Sequence, residues 1–284
     1  MAVERVGIVG AGTMGRGIAQ ICAVSGMDVV VSDVSRAQLD DARAAIEANY
    51  TRMVDRERMS DQARSEAMAR LTLEDNLEAL AGVELVIEAA TETPEVKPPL
   101  LAKIADACGA DTVLASNTSS ISLTRLAAAV RHPERVVGMH FFNPVPVMQL
   151  IEIVRALQTS DQTYRKACSV SERLNKTHVT VSDSPGFVVN RILVPMINEA
   201  ILALAEGLAT AEEIDVAMRL GANHPMGPLA LADLIGLDVC LYVMETLHEE
   251  FGDSKYRPAP LLRRMVNARY LGRKTGRGFF VYER

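Results

Sequence analysis

An α/β domain built on a mostly parallel, Rossmann-type sheet, followed by an all-helical domain, is what this sequence predicts. Three observations carry that prediction. Short apolar runs alternate with helical segments from residue 6 to residue 154. The hexapeptide GAGTMG (10–15) falls between the first apolar run and the first helical segment. After residue 183 the alternation stops and long apolar-striped segments take over. Strands that alternate with helices form a parallel sheet covered on both faces.

The elements follow in order. VGIVG (6–10) is a short apolar strand, and TMGRGIAQICAVSG (13–26) is a helix that ends at a glycine. DVVVSD (28–33) is a second buried strand. Residues 36–72 are charged and alanine-rich, which predicts one or two solvated helices. ELVIEAA (84–90), TVLASN (112–117), RVVGMHFF (135–142) and LIEIV (150–154) are four more strands. SDSPG (182–186) holds a turn-forming Pro-Gly pair and marks a boundary between domains 1–183 and 184–284. Beyond it, GFVVNRILVPMINEAILALAEG, ATAEEIDVAMRLG and LALADLIGLDVCLYVMETLHEEFG all read as helices.

Composition narrows the function. The net charge of −6 over 284 residues argues against a general nucleic-acid binder. The four cysteines are far apart and form no CxxC, which predicts neither a disulfide framework nor a metal site. A reduced, cytoplasmic chain is the simplest expectation. No leader pattern precedes the first strand, and no apolar run reaches the ~18 residues that a membrane helix needs.

GAGTMG fits the dinucleotide fingerprint, and its setting strengthens the match. It follows a strand, opens a helix, and leads to a second strand ending at Asp33, 23 residues after Gly10. Gly10 allows the tight turn, Gly12 lets a pyrophosphate approach the backbone, and Gly15 lets helix and strand pack closely. Thr13 and Met14 complete the loop. The helix N-terminus offers unpaired N–H groups and partial positive charge to phosphate. Asp33 suits ribose hydroxyls and repels a 2′-phosphate, which favours NAD. Arg36, three residues on, keeps NADP in play.

Of five histidines, His132, His178 and His248 lie in polar settings, and His224 lies in a Gly/Pro-rich loop. His140 differs. It ends an apolar strand, beside Phe141, Phe142 and Asn143, and ligands bind at strand C-terminal ends in open parallel sheets. Glu152 interrupts the next apolar strand. In an antiparallel hairpin centred near Pro146 the two residues face each other, six positions either side of that proline. Each would then relieve the other's burial. A carboxylate on one imidazole nitrogen fixes the tautomer and stabilises the imidazolium, so the other nitrogen can take a hydroxyl proton. The plainer reading is a buried ion pair with no reaction. ASNTSSIS (115–122) follows a strand, so Asn117 and Ser119 are candidates to bond cofactor or substrate. The same segment also reads as a helix cap. Asn190 sits early on an apolar helix face where asparagine is unfavourable, which points to a ligand contact.

Taken together, GAGTMGRGIAQ, Asp33, ASNTSS, MHFFNPVPVMQLIEIV, SPGFVVNRILVPMINEA, GANHPMGPLALADLIGLD and LGRKTGRGFFVYE resemble the short-chain L-3-hydroxyacyl-CoA dehydrogenase family. Among its members, the bacterial enzymes acting on 3-hydroxybutyryl-CoA are the most similar. The resemblance spans essentially the whole chain. It implies an NAD-dependent oxidoreductase that interconverts (S)-3-hydroxyacyl-CoA and 3-ketoacyl-CoA. It further implies His140 as base, Glu152 as its partner, and Ser119 and Asn190 as contacts to substrate oxygens. Glu92, Lys97, Asn117 and Asn143 become further cofactor contacts. The family binds the CoA tail partly through the helices after the second strand, where Arg52 and Arg56 are candidates for the 3′-phosphate. It is typically dimeric, and the apolar helical domain here suits a homodimer. Lys97-Pro98-Pro99 departs from the family pattern and predicts a helix that starts later than usual. Two other readings stay open: a related dehydrogenase of a small hydroxy acid without CoA, and a cofactor-binding structural protein.

Overall fold

A computed structural model describes residues 3–283. By internal contacts the chain divides into two compact units, the first ending at Ser184 and the second beginning at Pro185.

In chain order the first unit runs β1 (Arg5–Val9), α1 (Thr13–Val24), β2 (Asp28–Ser32), α2 (Arg36–Asp55), α3 (Asp61–Ala69), β3 (Leu71–Glu74), β4 (Leu85–Glu88), α4 (Lys97–Ala107), β5 (Val113–Ser116), α5 (Leu123–Ala128), β6 (Val136–Phe141), β7 (Leu150–Arg155), α6 (Asp161–Arg173) and β8 (Thr177–Ser182). The eight strands form one sheet in the order β3-β2-β1-β4-β5-β6-β7-β8. From β3 to β6 all neighbours are parallel; β7 is antiparallel to β6, and β8 is parallel to β7. β4, β5 and β6 are buried along their whole length, as a parallel sheet covered on both faces requires.

The sheet order reverses between β1 and β4. The chain first adds strands on one side of β1 and then returns to its other side. Such a switch point opens a crevice at the strand C-terminal ends. The register brings the strand ends level: Val9 pairs Glu88, Glu88 pairs Ser116, and Ser116 pairs Gly138. The loops that leave this row carry Gly10, Glu92 and Ser119, while His140 lies two residues further along β6.

Two edge strands escape the sequence pattern. LTLE forms β3 directly after α3, and its first two residues fall in the stretch 36–72 that reads as helix. THVTVS forms β8, and only one of its six residues is buried. An edge strand faces water, so it lacks the apolar run that marks the central strands. The prolines after Lys97 do not delay α4. It begins at Lys97 itself, and Pro98 and Pro99 occupy its first turn, where missing N–H groups leave no bond unmade.

The second unit holds α7 (Val189–Ala205), α8 (Ala211–Gly221), α9 (Pro228–Ile235), α10 (Leu237–Phe251) and α11 (Pro260–Asn267). The segment that reads as one helix from 229 to 252 is broken at Gly236, whose φ of 106° few residues other than glycine tolerate. Val194, Ile197, Ile201, Leu229, Leu237, Cys240, Met244 and Leu262 form the core of this unit. Buried aspartates fasten it. Asp215 accepts from the N–H groups of Leu229 and Ala230 at the start of α9, and Asp233 accepts from the N–H groups of Phe279 and Phe280 and from the Tyr282 hydroxyl.

Candidate active site

The glycine turn leaves β1 with Gly10 at φ 101°. A Cβ there would lie 2.7 Å from the Ala90 Cα, and one on Gly15 would lie 1.7 Å from the Gly10 carbonyl oxygen. Both glycines are therefore demanded by the fold. Gly12 is different: a Cβ there would meet nothing within 4 Å. It is exposed, it caps α1, and no side chain satisfies the helix start. Open ground beside free N–H groups is what a phosphate requires. Asp33 holds the turn from β2. Its carboxylate accepts from the N–H of Ala11 at 2.8 Å and from the N–H of Ser35 at 2.9 Å. Arg36 turns instead to Asp40, 3.4 Å away on the same helix.

Next along the rim is a buried charge cluster. Glu88, the last residue of β4, is wholly buried. Lys97 Nζ donates to both its oxygens, at 2.9 and 2.7 Å, and is itself buried. Ser116 Oγ and the N–H of Ala90 complete the set, at 2.8 and 2.9 Å. A buried charge without such partners destabilises by several kcal/mol. The same ammonium lies 3.5 Å from Glu92 Oε2. Glu92 Oε1 accepts from the Thr118 hydroxyl and from the N–H groups of Ser119 and Ser120. Burial alone would raise the Glu92 carboxyl. The Lys97 ammonium and the bonds from Thr118, Ser119 and Ser120 outweigh it and hold the group below the ordinary carboxylate range. Lys97 is thus turned inward, toward two carboxylates.

At the next strands the register pairs His140 with Glu152, as the reflection about Pro146 predicts. His140 Nδ1 lies 2.7 Å from Glu152 Oε2. Glu152 is wholly buried and His140 nearly so. The Phe142 ring packs on the imidazole, centroids 4.5 Å apart. Asn117 Oδ1 accepts from the N–H of Phe141 at 2.9 Å, tying the end of β5 to the end of β6. Lys176 closes the loop between the two arms. Its buried ammonium donates to the carbonyls of Val145 and Met148, at 2.9 and 2.6 Å. Asn143 stays exposed on that loop.

The remaining candidates are more peripheral. Arg52 and Arg56 are exposed at the C-terminal end of α2, one turn apart. Arg52 donates to the Asn49 side chain. Met53, beside it, lines a shallow pocket with Gln20, Pro146 and Lys176. Asn190 stands partly exposed in the first turn of α7, in the second unit. All four cysteines are free. Burial pushes the Cys22 and Cys240 thiols up to about 12 and Cys108 to about 11, so these three are not thiolates at neutral pH.

Comparison with known proteins agrees with this geometry over both units. Residues 5–184 match the family model of the 3-hydroxyacyl-CoA dehydrogenase NAD binding domain, and residues 186–282 match that of its C-terminal domain. The chain belongs to the 3-hydroxyacyl-CoA dehydrogenase family. It is 49% identical over 280 residues to a 3-hydroxybutyryl-CoA dehydrogenase of Bradyrhizobium diazoefficiens, covering 99% of this chain and 96% of that one. A Clostridioides difficile protein of the same name is 46% identical over 280 residues, covering 99% and 100%. The crystal structure of an (S)-3-hydroxybutyryl-CoA dehydrogenase from Ralstonia eutropha superposes with a TM-score of 0.97 at 53% identity, covering all of both chains.

Three residues of this family member's rim, Glu88, Ser116 and Lys176, escape a reading of the sequence. Glu88 gave the same signal as Glu152, an acid inside an apolar strand, and its partner Lys97 lies nine residues on. Lys176 gave none, because its role depends on a loop 28 to 31 residues away.

The two inner glycines should separate by experiment. Gly12→Ala is expected to change stability by less than about 1 kcal/mol, because its Cβ meets nothing within 4 Å, and a pyrophosphate bound against this turn predicts weaker NADH binding. Gly15→Ala is expected to unfold the first unit. Urea denaturation and NADH fluorescence titration check both; equal behaviour of the two variants would contradict the assignment.

Proposed function

We propose that this chain catalyses the reversible, NAD-dependent oxidation of a short (S)-3-hydroxyacyl-CoA, 3-hydroxybutyryl-CoA first, to the 3-ketoacyl-CoA. The observation that carries the reading is the buried His140–Glu152 contact of 2.7 Å, set at the same rim as the glycine turn. Family membership and the names of the relatives supply the substrate class.

His140 takes the C3 hydroxyl proton at Nε2 while Nδ1 stays against Glu152. The imidazolium that forms is balanced by a carboxylate already in place and buried beside it. General base catalysis of this kind contributes about 10²–10⁴ in rate. NAD, when bound, supplies the acceptor for the hydride that leaves C3. The residues present fit it. Gly12 leaves room for pyrophosphate, the first turn of α1 offers N–H groups, and Asp33 stands at the end of β2 for ribose hydroxyls. Asp33 also disfavours a 2′-phosphate, and Arg36 is engaged with Asp40, which supports NAD over NADP. Thr13 and Met14, in the first turn of α1, and Asn143, exposed after β6, are further cofactor contacts in this reading. Asn117 and Lys97 act through their neighbours, Asn117 on Phe141 and Lys97 on Glu92. Ser119 and Asn190 orient the substrate oxygens, and Arg52 and Arg56 receive the CoA phosphate.

We further read the helical unit as the self-association surface, since Ile192, Leu208 and Leu220 are largely exposed on it. Sedimentation should show a dimer, and a monomer at every concentration would overturn this point.

The reaction is tested with acetoacetyl-CoA and NADH. His140→Gln keeps a donor for Glu152 and removes the base; it should lower kcat by about 10²–10⁴ and leave NADH binding intact. No turnover by the wild type, or full activity of the variant, refutes the proposal. Arg52→Ala with Arg56→Ala should raise KM for acetoacetyl-CoA about tenfold and leave kcat near wild type, because a phosphate contact binds ground and transition states alike. An unchanged KM would favour a substrate without CoA.

A further inference from the structure

The turn from Thr118 to Ser120 closes on a single oxygen. Glu92 Oε1 receives Thr118 Oγ1 at 2.6 Å, Ser119 N at 2.8 Å, Ser120 N and Ser120 Oγ at 3.0 Å each, and Ser119 Oγ at 3.2 Å. A carboxylate oxygen offers about two lone-pair sites, so five donors exceed its capacity. The Ser119 hydroxyl is the most distant of the five, and its bond is the one given up most readily. Two backbone N–H groups and three hydroxyls around one point form a cup for an oxygen, shaped by an anion that belongs to the protein.

The anion is itself supported from beneath. Its other oxygen, Oε2, faces Lys97 Nζ at 3.5 Å. That ammonium is fixed by both oxygens of Glu88, and Glu88 by Ser116 Oγ and the N–H of Ala90. A continuous polar chain therefore runs from the end of β4 through Lys97 and Glu92 to Ser119. Glu92 is about a third exposed, so its outer face meets solvent while its inner oxygen grips the turn.

We propose that Glu92 is a positioning residue: it preforms the 118–120 turn and holds the Ser119 hydroxyl in reserve, for release to a substrate oxygen. The release is cheap because the four closer donors already more than fill the lone pairs of that oxygen. Lys97 and Glu88 keep Glu92 in place and charged. This inference rests on the assignment of Ser119 to the substrate in the reading above, and it adds to Glu92 a task distinct from any contact with the dinucleotide.

The test uses the full chain as Glu92→Gln, Ser119→Ala and the double variant. It follows kcat and KM for acetoacetyl-CoA, the Kd of NADH, and amide hydrogen exchange over residues 117–123 in the free protein. Glu92→Gln should lower kcat about tenfold. In the Ser119→Ala background it should cost less than about twofold more, because residues that act as a unit are not additive. Exchange at residues 119 and 120 should quicken in Glu92→Gln. Three outcomes would each overturn the proposal: effects of the two variants that multiply, a rise in the Kd of NADH with kcat unchanged, or exchange that stays as slow as in the wild type. The exchange measurement needs no turnover, so it judges the clamp even if the wild type fails to reduce acetoacetyl-CoA. If Glu92→Gln does not fold, Thr118→Val removes the shortest donor and leaves the charge. It should show the same non-additivity with Ser119→Ala, and multiplying effects would again refute the clamp.

Discussion

Glu152 lies wholly buried in the sheet, 2.7 Å from one imidazole nitrogen. A carboxylate in that position is tolerated only with a partner, since removing one member of a buried pair destabilises by about 3–5 kcal/mol. The register of β6 on β7 provides the partner, and much of the surrounding structure serves that register. Lys176 ties down the loop between the arms, Asn117 ties β5 to β6, and Phe142 packs on the ring. A slip of one residue would put both side chains on opposite faces of the sheet. The pair and the strand alignment therefore enforce each other.

The same logic extends along the rim. Glu88 is as deeply buried as Glu152 and is matched by Lys97; Glu92 is matched by Lys97 and a turn of hydroxyls and N–H groups; Asp33 is matched by the glycine turn. Each acid sits at or just beyond the C-terminal end of a parallel strand, or faces one. Parallel strands end level here, and the backbone groups beyond them have no partners within the sheet. Carboxylates gather those groups and fix the loops. Loops fixed in this way keep their conformation before any ligand arrives, which is the preorganisation that the proposed reaction requires.

Aspartates do related work at loop ends. Asp183 accepts from Ser122 Oγ and from the N–H groups of Leu123 and Thr124, so the end of the first unit caps the helix that follows the Ser119 turn. Asp215 and Asp233 fasten α9 and the C-terminal segment. None of the three stands out in the sequence as more than a surface acid, because each gains its meaning from a segment 14 to 61 residues away.

The sequence by itself determined the central strands, the glycine turn and the helical second half. Their signals are local: apolar runs, a hexapeptide, a helical stripe. It also suggested the facing of His140 and Glu152, because a hairpin joins residues close in the chain, but a proline-containing loop need not be symmetric, and the strand register decided the pairing. Only the tertiary structure decided the edge strands β3 and β8, which face water and carry no apolar run. It alone decided that Lys97 turns inward to Glu88, and that Glu92 and the Ser119 turn form one unit. Those contacts join β4, α4 and the loop after β5 across the sheet. Nothing in local periodicity encodes them, and burial in a low dielectric is what makes their pairing obligatory.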